Sequence, residues 1–360
     1  MNLLGRFEYI LLCNLTLFLL IIAAIDYKFS VNLTYGLFLF VAVVLFFSKN
    51  KPIKIRLSFL LISIISLLFL IFGYFYGGGI YDIYPIRNTA YFLLFLLIYQ
   101  SGILAYNSSQ VKRIVNYNLF FAAVSQLLAL IFDFGVTYST GELNFSIFGV
   151  KSFMTSGNEF VIVLFVIAYA VIVVHKHSIK QYVASAVLFS VGTKTAFLLA
   201  FYTLFLSLKR NYSLVKLVFL LSGLVLLIYF TGILDYQLAR IQLNIEKFDA
   251  FSSLFSGRVQ RVMSINMDQI SLFPFSNQIH LTRNYESDLF NLLVRQGVVL
   301  SLVYYSVTIL ILSRVYSVGI ALLFLVLSII VGHIFFYASV LVYMIIFGLL
   351  IRMYNDSVSQ

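Results

Sequence analysis

Tryptophan is absent from this sequence of 360 residues, cysteine occurs once, and charged residues make up only 10%. Soluble domains carry about a quarter charged residues. The scarcity of charge, together with 62% hydrophobic residues, therefore excludes an ordinary soluble globular protein. The single cysteine, Cys13, excludes an intrachain disulfide. The 25 tyrosines are available for the membrane interface, where tryptophan is usually also found.

Several other signals are missing. No closely spaced set of histidines and carboxylates indicates a metal site, and His175 and His177 fall in a short loop that favours solvated histidines. No repeat, low-complexity tract or linker indicates a second domain, so we predict a single integral membrane domain over residues 1–360. The apolar run at residues 9–24 has no cleavage site after it and is expected to stay in the membrane.

Long apolar segments predict an all-α polytopic membrane protein, because a spanning helix needs about 17 to 25 apolar residues. We predict about twelve transmembrane helices, with a range of 10–12 because two adjacent pairs of segments each fit one broken helix. Those pairs are 181–191 with 195–208, and 318–332 with 335–351. The other predicted spans are 8–25, 31–48, 57–75, 89–106, 114–134, 158–174, 214–233 and 289–312.

Lysine and arginine orient the predicted spans, because cytoplasmic loops are enriched in them. With twelve spans, the basic loops fall on one side, which we predict to be cytoplasmic together with both termini. A single span over 181–208 would place Lys176 and Lys209 in opposite compartments, so we predict a turn at 192–195. The predicted cytoplasmic basic residues are Arg6, Lys49, Lys51, Lys54, Arg56, Lys112, Arg113, Lys176, Lys180, Lys209, Arg210, Lys216, Arg314 and Arg352.

The net charge of +11 raises the question of a nucleic-acid partner. On the predicted cytoplasmic side, 14 of the 24 lysines and arginines stand against only two acids, Glu8 and Asp356. The excess positive charge is therefore a topology signal, and we predict no nucleic-acid partner.

Residues 234–288 form the one long polar stretch, and this topology places it on the outer side as a periplasmic loop. Within it, the spacing of apolar residues over 247–265 predicts a short amphipathic helix on the membrane surface. Arg258 and Arg261 are three residues apart and project from neighbouring points of that helix. Paired guanidinium groups suit a diphosphate, although snorkelling to lipid phosphates explains the same spacing equally well.

A polar stripe of Asp288, Asn291 and Arg295 opens the apolar segment that follows the loop. Arg295 lies about 10 Å along the helix from Asp288, a depth at which a cation normally faces a protein cavity. The stripe indicates either a functional site or an Asp–Arg clasp within the bundle. Glu286 would point to the opposite side of that helix from Asp288, so the two carboxylates are a poor dyad. Either one alone suits a general base on a sugar hydroxyl.

Three further cations, Arg87, Lys151 and Lys194, stand among apolar residues on the predicted outer side. Lys194 lies in the predicted tight turn between two short spans, where a charge has little structural reason to occur. Each of the three is a candidate substrate ligand or, alternatively, a snorkelling anchor.

Four short segments carry a resemblance to a known family. They are Phe153 through Asn158-Glu159, Gly192-Thr193-Lys194-Thr195-Ala196, Ser256-Gly257-Arg258, and Glu286 through Gly297. In order and topology these segments resemble motifs of the bacterial O-antigen polymerase (Wzy) group, within the O-antigen ligase/polymerase superfamily. Gly157 stands where that family usually has proline, Lys194 stands in place of arginine, and Glu286 stands at the position of the ligase histidine. The absence of that histidine favours a polymerase.

The resemblance implies glycosyl transfer at the periplasmic face of the bacterial inner membrane, joining undecaprenyl-diphosphate-linked repeat units of O-antigen or another surface polysaccharide. It implies no metal, no nucleotide sugar and no other cofactor. Its implied partners are the lipid-linked oligosaccharide and polysaccharide, membrane lipid and a chain-length regulator protein. The alternatives are an O-antigen ligase of the same superfamily, or a lipid-linked oligosaccharide flippase or other transporter.

We assign candidate roles on this basis. The candidate catalytic residues are Arg258, Glu286 and Asp288. The candidate ligands for the diphosphate or glycan are Arg261, Lys194, Arg87, Lys151, Arg283, Arg295 and Asn291.

Overall fold

The regular structure is helical. A computed structural model describes residues 3–25, 36–37, 40–41, 43–44, 106–132, 157–176, 178–210, 242, 245–246, 270, 272, 287–332, 334–335 and 338–359. Within these residues no strand is present. The helices are α1 (Leu3–Cys13), α2 (Leu15–Ile25), α3 (Ser108–Phe132), α4 (Gly157–Val174), α5 (Lys180–Phe189), α6 (Lys194–Arg210), α7 (Asp288–Val315), α8 (Val318–Ile330) and α9 (Ala338–Ser359).

Both pairs of segments that the sequence left open form separate helices. The turn predicted at 192–195 separates α5 from α6, and a second turn separates α8 from α9. Gly192 and Gly332 adopt positive φ angles of 71° and 67° in these turns, a conformation that glycine reaches without steric cost. Glycine therefore allows the backbone to leave the helical conformation in both turns.

Two of the described helical stretches are long and apolar enough to cross a membrane, Gly297–Val315 and Val340–Val358. A third span arises if the bent pair Gly5–Cys13 and Leu15–Ile22 counts as one. Helix α5 has 10 residues and is about 15 Å long, half the thickness of a hydrocarbon core of about 30 Å. It does not cross such a core alone. The predicted spans 31–48, 57–75, 89–106 and 214–233, and the loop 234–288, lie wholly or for the most part outside the described residues.

The chain divides into two compact units. Unit 1 comprises Met1–Glu8, Phe38–Ala105 and Phe255–Arg352, and unit 2 comprises Tyr9–Leu37, Tyr106–Leu254 and Met353–Gln360.

Helix α4 forms the core of unit 2. All of its residues from 160 to 174 are buried except Tyr169, which is half-buried. It packs against α3, α5 and α6, and the rings of Phe165 and Tyr202 lie 6.2 Å apart between α4 and α6. A helix that is hydrophobic on every side is expected to be surrounded by others, and α4 satisfies this expectation.

A buried asparagine bridges the break between α1 and α2. The two helical segments meet at an angle of 63°. Asn118 of α3, fully buried, accepts hydrogen bonds from the backbone N–H and the hydroxyl of Thr16 at 2.9 and 2.7 Å. Its amide donates to the carbonyls of Leu12 and Ile114 at 2.8 and 2.9 Å. One side chain therefore forms hydrogen bonds with backbone groups on both sides of the break. Leaving these backbone groups unpaired in an apolar environment would be costly.

Helix α7 in unit 1 is also interrupted, at Gly297, where φ is 76° and ψ is 171°. The hydroxyl of Ser301 donates to the Gly297 carbonyl at 2.7 Å, and the Val299 N–H donates to the Leu272 carbonyl at 3.1 Å. These two bonds replace part of the helical pattern that is lost at the break. At the C-terminal end of α7, the hydroxyl of its C-cap residue Tyr316 donates to the Met344 carbonyl of α9 at 2.5 Å.

Candidate functional site

Two of the four motif segments lie at helix N-termini in unit 2. Helix α4 begins at Gly157 and α6 begins at Lys194. Thr193 is the N-cap of α6, because its hydroxyl accepts the Ala196 N–H at 2.9 Å and its carbonyl accepts the Phe197 N–H at 3.0 Å. The motif glycine, threonine and lysine therefore build one structure, a left-handed turn followed by a capped helix start.

These two N-termini lie at the same end of unit 2. Helix α5 runs back between α4 and α6 through two short connections, so α4 and α6 are parallel. The contact between Phe165 and Tyr202 sets their register. Each of these residues lies eight positions after the first residue of its helix, which is about 12 Å. The positive ends of both helix dipoles therefore lie at similar heights, to within about one turn, an arrangement that suits an anion. We call this feature the paired N-termini.

Two buried polar side chains lie at the same height. Glu159, in the first turn of α4, is 4% exposed, and Gln126 of α3 is 2% exposed. The imidazole of His175 lies at the Lys112 backbone, which fixes the register of the antiparallel helices α3 and α4. From that point Gln126 is about 21 Å along α3 and Glu159 about 24 Å along α4.

Gln126 stands out because neither atom of its amide has a hydrogen-bond partner within the described residues. Buried amides are normally paired, and an unpaired one costs about 1–3 kcal/mol. The group offers both donors and acceptors, which matches the hydroxyl groups of a sugar. Neither Gln126 nor Asn118 is among the site residues predicted from the sequence. The feature that could have indicated them is a single amide side chain within an apolar segment.

Asp288 is the one predicted catalytic residue that the structure describes. It is 1% exposed, and its Oδ2 atom accepts the backbone N–H groups of Ile334 and Phe335 at 2.7 and 2.8 Å. The hydroxyl of Tyr304 donates to the Phe335 carbonyl at 2.5 Å. Asp288 therefore fastens the connection between α8 and α9 to the start of α7, within unit 1.

The stripe predicted at 288–295 lies on one helical segment, because the break in α7 comes two residues later at Gly297. The structure describes only the backbone of Asn291, Arg295 and Lys194. The other predicted site residues, which are Arg258, Glu286, Arg261, Arg87, Lys151 and Arg283, lie outside the described residues.

No protein-family model, curated protein or solved structure matches this chain. Within the described residues no group of three His, Cys, Asp or Glu side chains is arranged to hold a metal ion.

Proposed function

We propose that the chain is a surface-polysaccharide polymerase of the bacterial inner membrane. It transfers a growing glycan from undecaprenyl diphosphate to another lipid-linked repeat unit at the periplasmic face. The observation that supports this function best is the paired N-termini of α4 and α6, where two of the four motif segments lie side by side. Two helix N-termini, with Lys194 as the first residue of one, suit a diphosphate leaving group.

The proposed reaction replaces one bond to the anomeric carbon of the donor glycan. A hydroxyl oxygen of the acceptor bonds to that carbon while the bond from the carbon to the diphosphate oxygen breaks. Glu286 accepts the hydroxyl proton as general base. Arg258, Arg261 and Lys194 stabilise the negative charge that stays on the departing diphosphate.

Within this proposal Asp288 acts by positioning. Its Oδ2 atom already accepts two backbone N–H groups, so its contribution is to hold the start of α7 in place. Glu286 is two residues earlier in the chain and remains the candidate base. Arg87, Lys151, Arg283, Arg295 and Asn291 are proposed to contact the diphosphate or glycan.

The proposal is tested by Arg258→Ala, with Arg314→Ala as the matched control, since Arg314 lies on the predicted cytoplasmic side. Loss of one charge-stabilising group costs about 100-fold or more in rate. Long polysaccharide chains should therefore disappear in Arg258→Ala and persist in Arg314→Ala when cell extracts are separated by electrophoresis. Polysaccharide chains of normal length in Arg258→Ala, expressed at the native level in the membrane, would contradict the proposal.

A second candidate is a transporter or flippase for the same lipid-linked substrate. The breaks between α1 and α2 and at Gly297 favour it, because transporters often build their sites from interrupted helices. Purified protein in vesicles separates the two: movement of substrate without a covalent product supports the transporter. Analysis of the product also identifies a ligase, whose glycan would be attached to the lipid A core instead of undecaprenyl diphosphate.

A further inference from the structure

Two lysines from different helices come together at the end of unit 2 opposite the paired N-termini. The ammonium group of Lys180, in the first turn of α5, donates to Oδ1 of Asn116 on α3 at 2.9 Å. Lys112 lies one turn before Asn116 and therefore on the same face of α3. Its ammonium group is 5.7 Å from the centre of the Tyr354 ring. The two positive charges thus share one face.

His175 lies beside both lysines, at the end of α4. Burial, and then the charges of Lys180 and Lys112, together lower the pKa of its imidazole to about 4. Its Nε2 atom is buried and has no hydrogen-bond partner within the described residues. The half-buried ring was expected from sequence to be solvated, and the structure shows instead an unpaired nitrogen next to two cations.

The charge of this face is not balanced. Neither Lys112 nor Lys180 has a carboxylate partner in the described part of the chain, and neither α3 nor α5 has an acid in its first turn. Cations near helix N-termini are disfavoured by the helix dipole. The acid nearest to Tyr354 in sequence, Asp356, lies two positions further along α9 and projects from a different side of that helix. A bound anion would relieve this repulsion and, on protonation of the imidazole, would accept a hydrogen bond from His175.

Exposed apolar side chains adjoin the cationic face. Ile179, the N-cap of α5, is 76% exposed, and Val183, one turn later, is 40% exposed. Tyr117, next to Asn116, is 50% exposed. The cations match the headgroup phosphate of a phospholipid, and the apolar surface one turn away matches its acyl chains. A soluble phosphate would contact the cations alone.

We propose that this face binds an anionic phospholipid, with Lys112 and Lys180 contacting the headgroup phosphate and Ile179 and Val183 contacting the acyl chains. This end of unit 2 carries the basic loops predicted to face the cytoplasm, where anionic lipids attract cationic side chains. The inference does not depend on the proposed polymerase activity.

The test uses the full chain, purified and reconstituted in nanodiscs of phosphatidylcholine alone or with about 30 mol% phosphatidylglycerol, which gives the bilayer the negative surface that attracts lysine side chains. The thermal midpoint and the phospholipid retained in native mass spectrometry are measured for the unaltered protein, Lys112→Gln/Lys180→Gln and the control Lys176→Gln. Lys176 is an exposed lysine in the connection between α4 and α5.

Phosphatidylglycerol should raise the thermal midpoint of the unaltered protein and of Lys176→Gln by about 4 °C. In native mass spectrometry these two proteins should retain phosphatidylglycerol in preference to phosphatidylcholine. The double variant should lose most of the midpoint shift and most of the lipid preference. Equal retention of the two lipids by the unaltered protein would overturn the proposal, and this comparison needs no variant. An unchanged shift in the folded double variant would overturn it too. Inorganic phosphate added to the phosphatidylcholine sample should leave the midpoint unchanged; a shift as large as that with phosphatidylglycerol would identify a site for free phosphate instead.

Discussion

At the scale of single residues, two buried amides of unit 2, Asn118 and Gln126, differ in their hydrogen bonding. Asn118 uses its amide fully, bonding Thr16, Leu12 and Ile114. Gln126 is as deeply buried and has no partner within the described residues. The first arrangement stabilises the fold, whereas a buried amide that stays unpaired costs stability.

Asn118→Leu should destabilise the protein by roughly 3 kcal/mol, because the Thr16 N–H and hydroxyl and the Leu12 carbonyl lose their buried partner. Thermal unfolding in detergent should show a midpoint lower by about 5 °C or more. Asn14→Ala is the control: within the described part of the chain, the Asn14 amide donates to the Ile10 carbonyl alone, at 2.8 Å in the same turn, so a change within about 1 kcal/mol is expected. A midpoint in Asn118→Leu as high as in Asn14→Ala would contradict the bridging role.

His175 should make stability depend on pH between its folded and unfolded pKa values. Because burial and then Lys180 and Lys112 lower the pKa from 6.5 to about 4 in the folded state, the unfolded state binds more protons in this window. Stability should therefore fall as the pH drops from about 6.5 towards 4 and should be constant above that range.

The check is the thermal midpoint of His175→Gln against the unaltered protein at several pH values. The ring is only half-buried, so solvent screening limits the difference between pH 7 and pH 4.5 to the order of 2 °C. Parallel pH curves for the two proteins would rule out this contribution.

At the scale of elements, α7 and α9 in unit 1 approach closely at Gly348. A Cβ atom there would lie 2.8 Å from Cε2 of Tyr316 and 2.9 Å from Cβ of Val315. The same tyrosine bonds the Met344 carbonyl one turn earlier on α9. Close packing of these helices therefore requires glycine at this position.

Gly348→Ala should destabilise the protein by about 1–3 kcal/mol, since the clash forces the helices apart. Gly319→Ala serves as the matched control in α8, where nothing lies within 4 Å of the added atom. The control should be neutral or more stable by up to about 1 kcal/mol, because alanine is the better helix former. Chemical denaturation of both variants gives the comparison, and equal stabilities would argue against the close approach.

At the scale of the whole molecule, the distribution of basic residues predicts one topology for all the loops. With Cys13 replaced by serine, Lys176→Cys and Arg314→Cys should react with a membrane-impermeant maleimide only in inverted vesicles. Cysteines introduced at Ser256 and Asn277 should react only from the periplasmic side. If the cysteines introduced at Lys176 and Ser256 are labelled from the same side, the predicted topology is wrong.

The bounds of most described helices agree with the apolar segments seen in the sequence. The predicted span 158–174 corresponds to α4 at Gly157–Val174, and 195–208 corresponds to α6 at Lys194–Arg210. Runs of apolar residues and glycine turns are local signals, so they appear in the sequence directly. The break within the predicted span 8–25 was not foreseen, because the residue that stabilises it, Asn118, lies 102 positions from Thr16 in the chain.

By itself, the sequence determined that the chain is a helical membrane-type protein, and it predicts that the basic loops lie on one side, because hydropathy and charge act through the composition of each segment. Only the tertiary structure decided the roles of particular polar groups. It assigned Asp288 to the backbone of Ile334 and Phe335, and it brought the starts of α4 and α6 to similar heights. Hydrogen-bond partners and helix register depend on which distant residues pack together, and no local pattern contains that information.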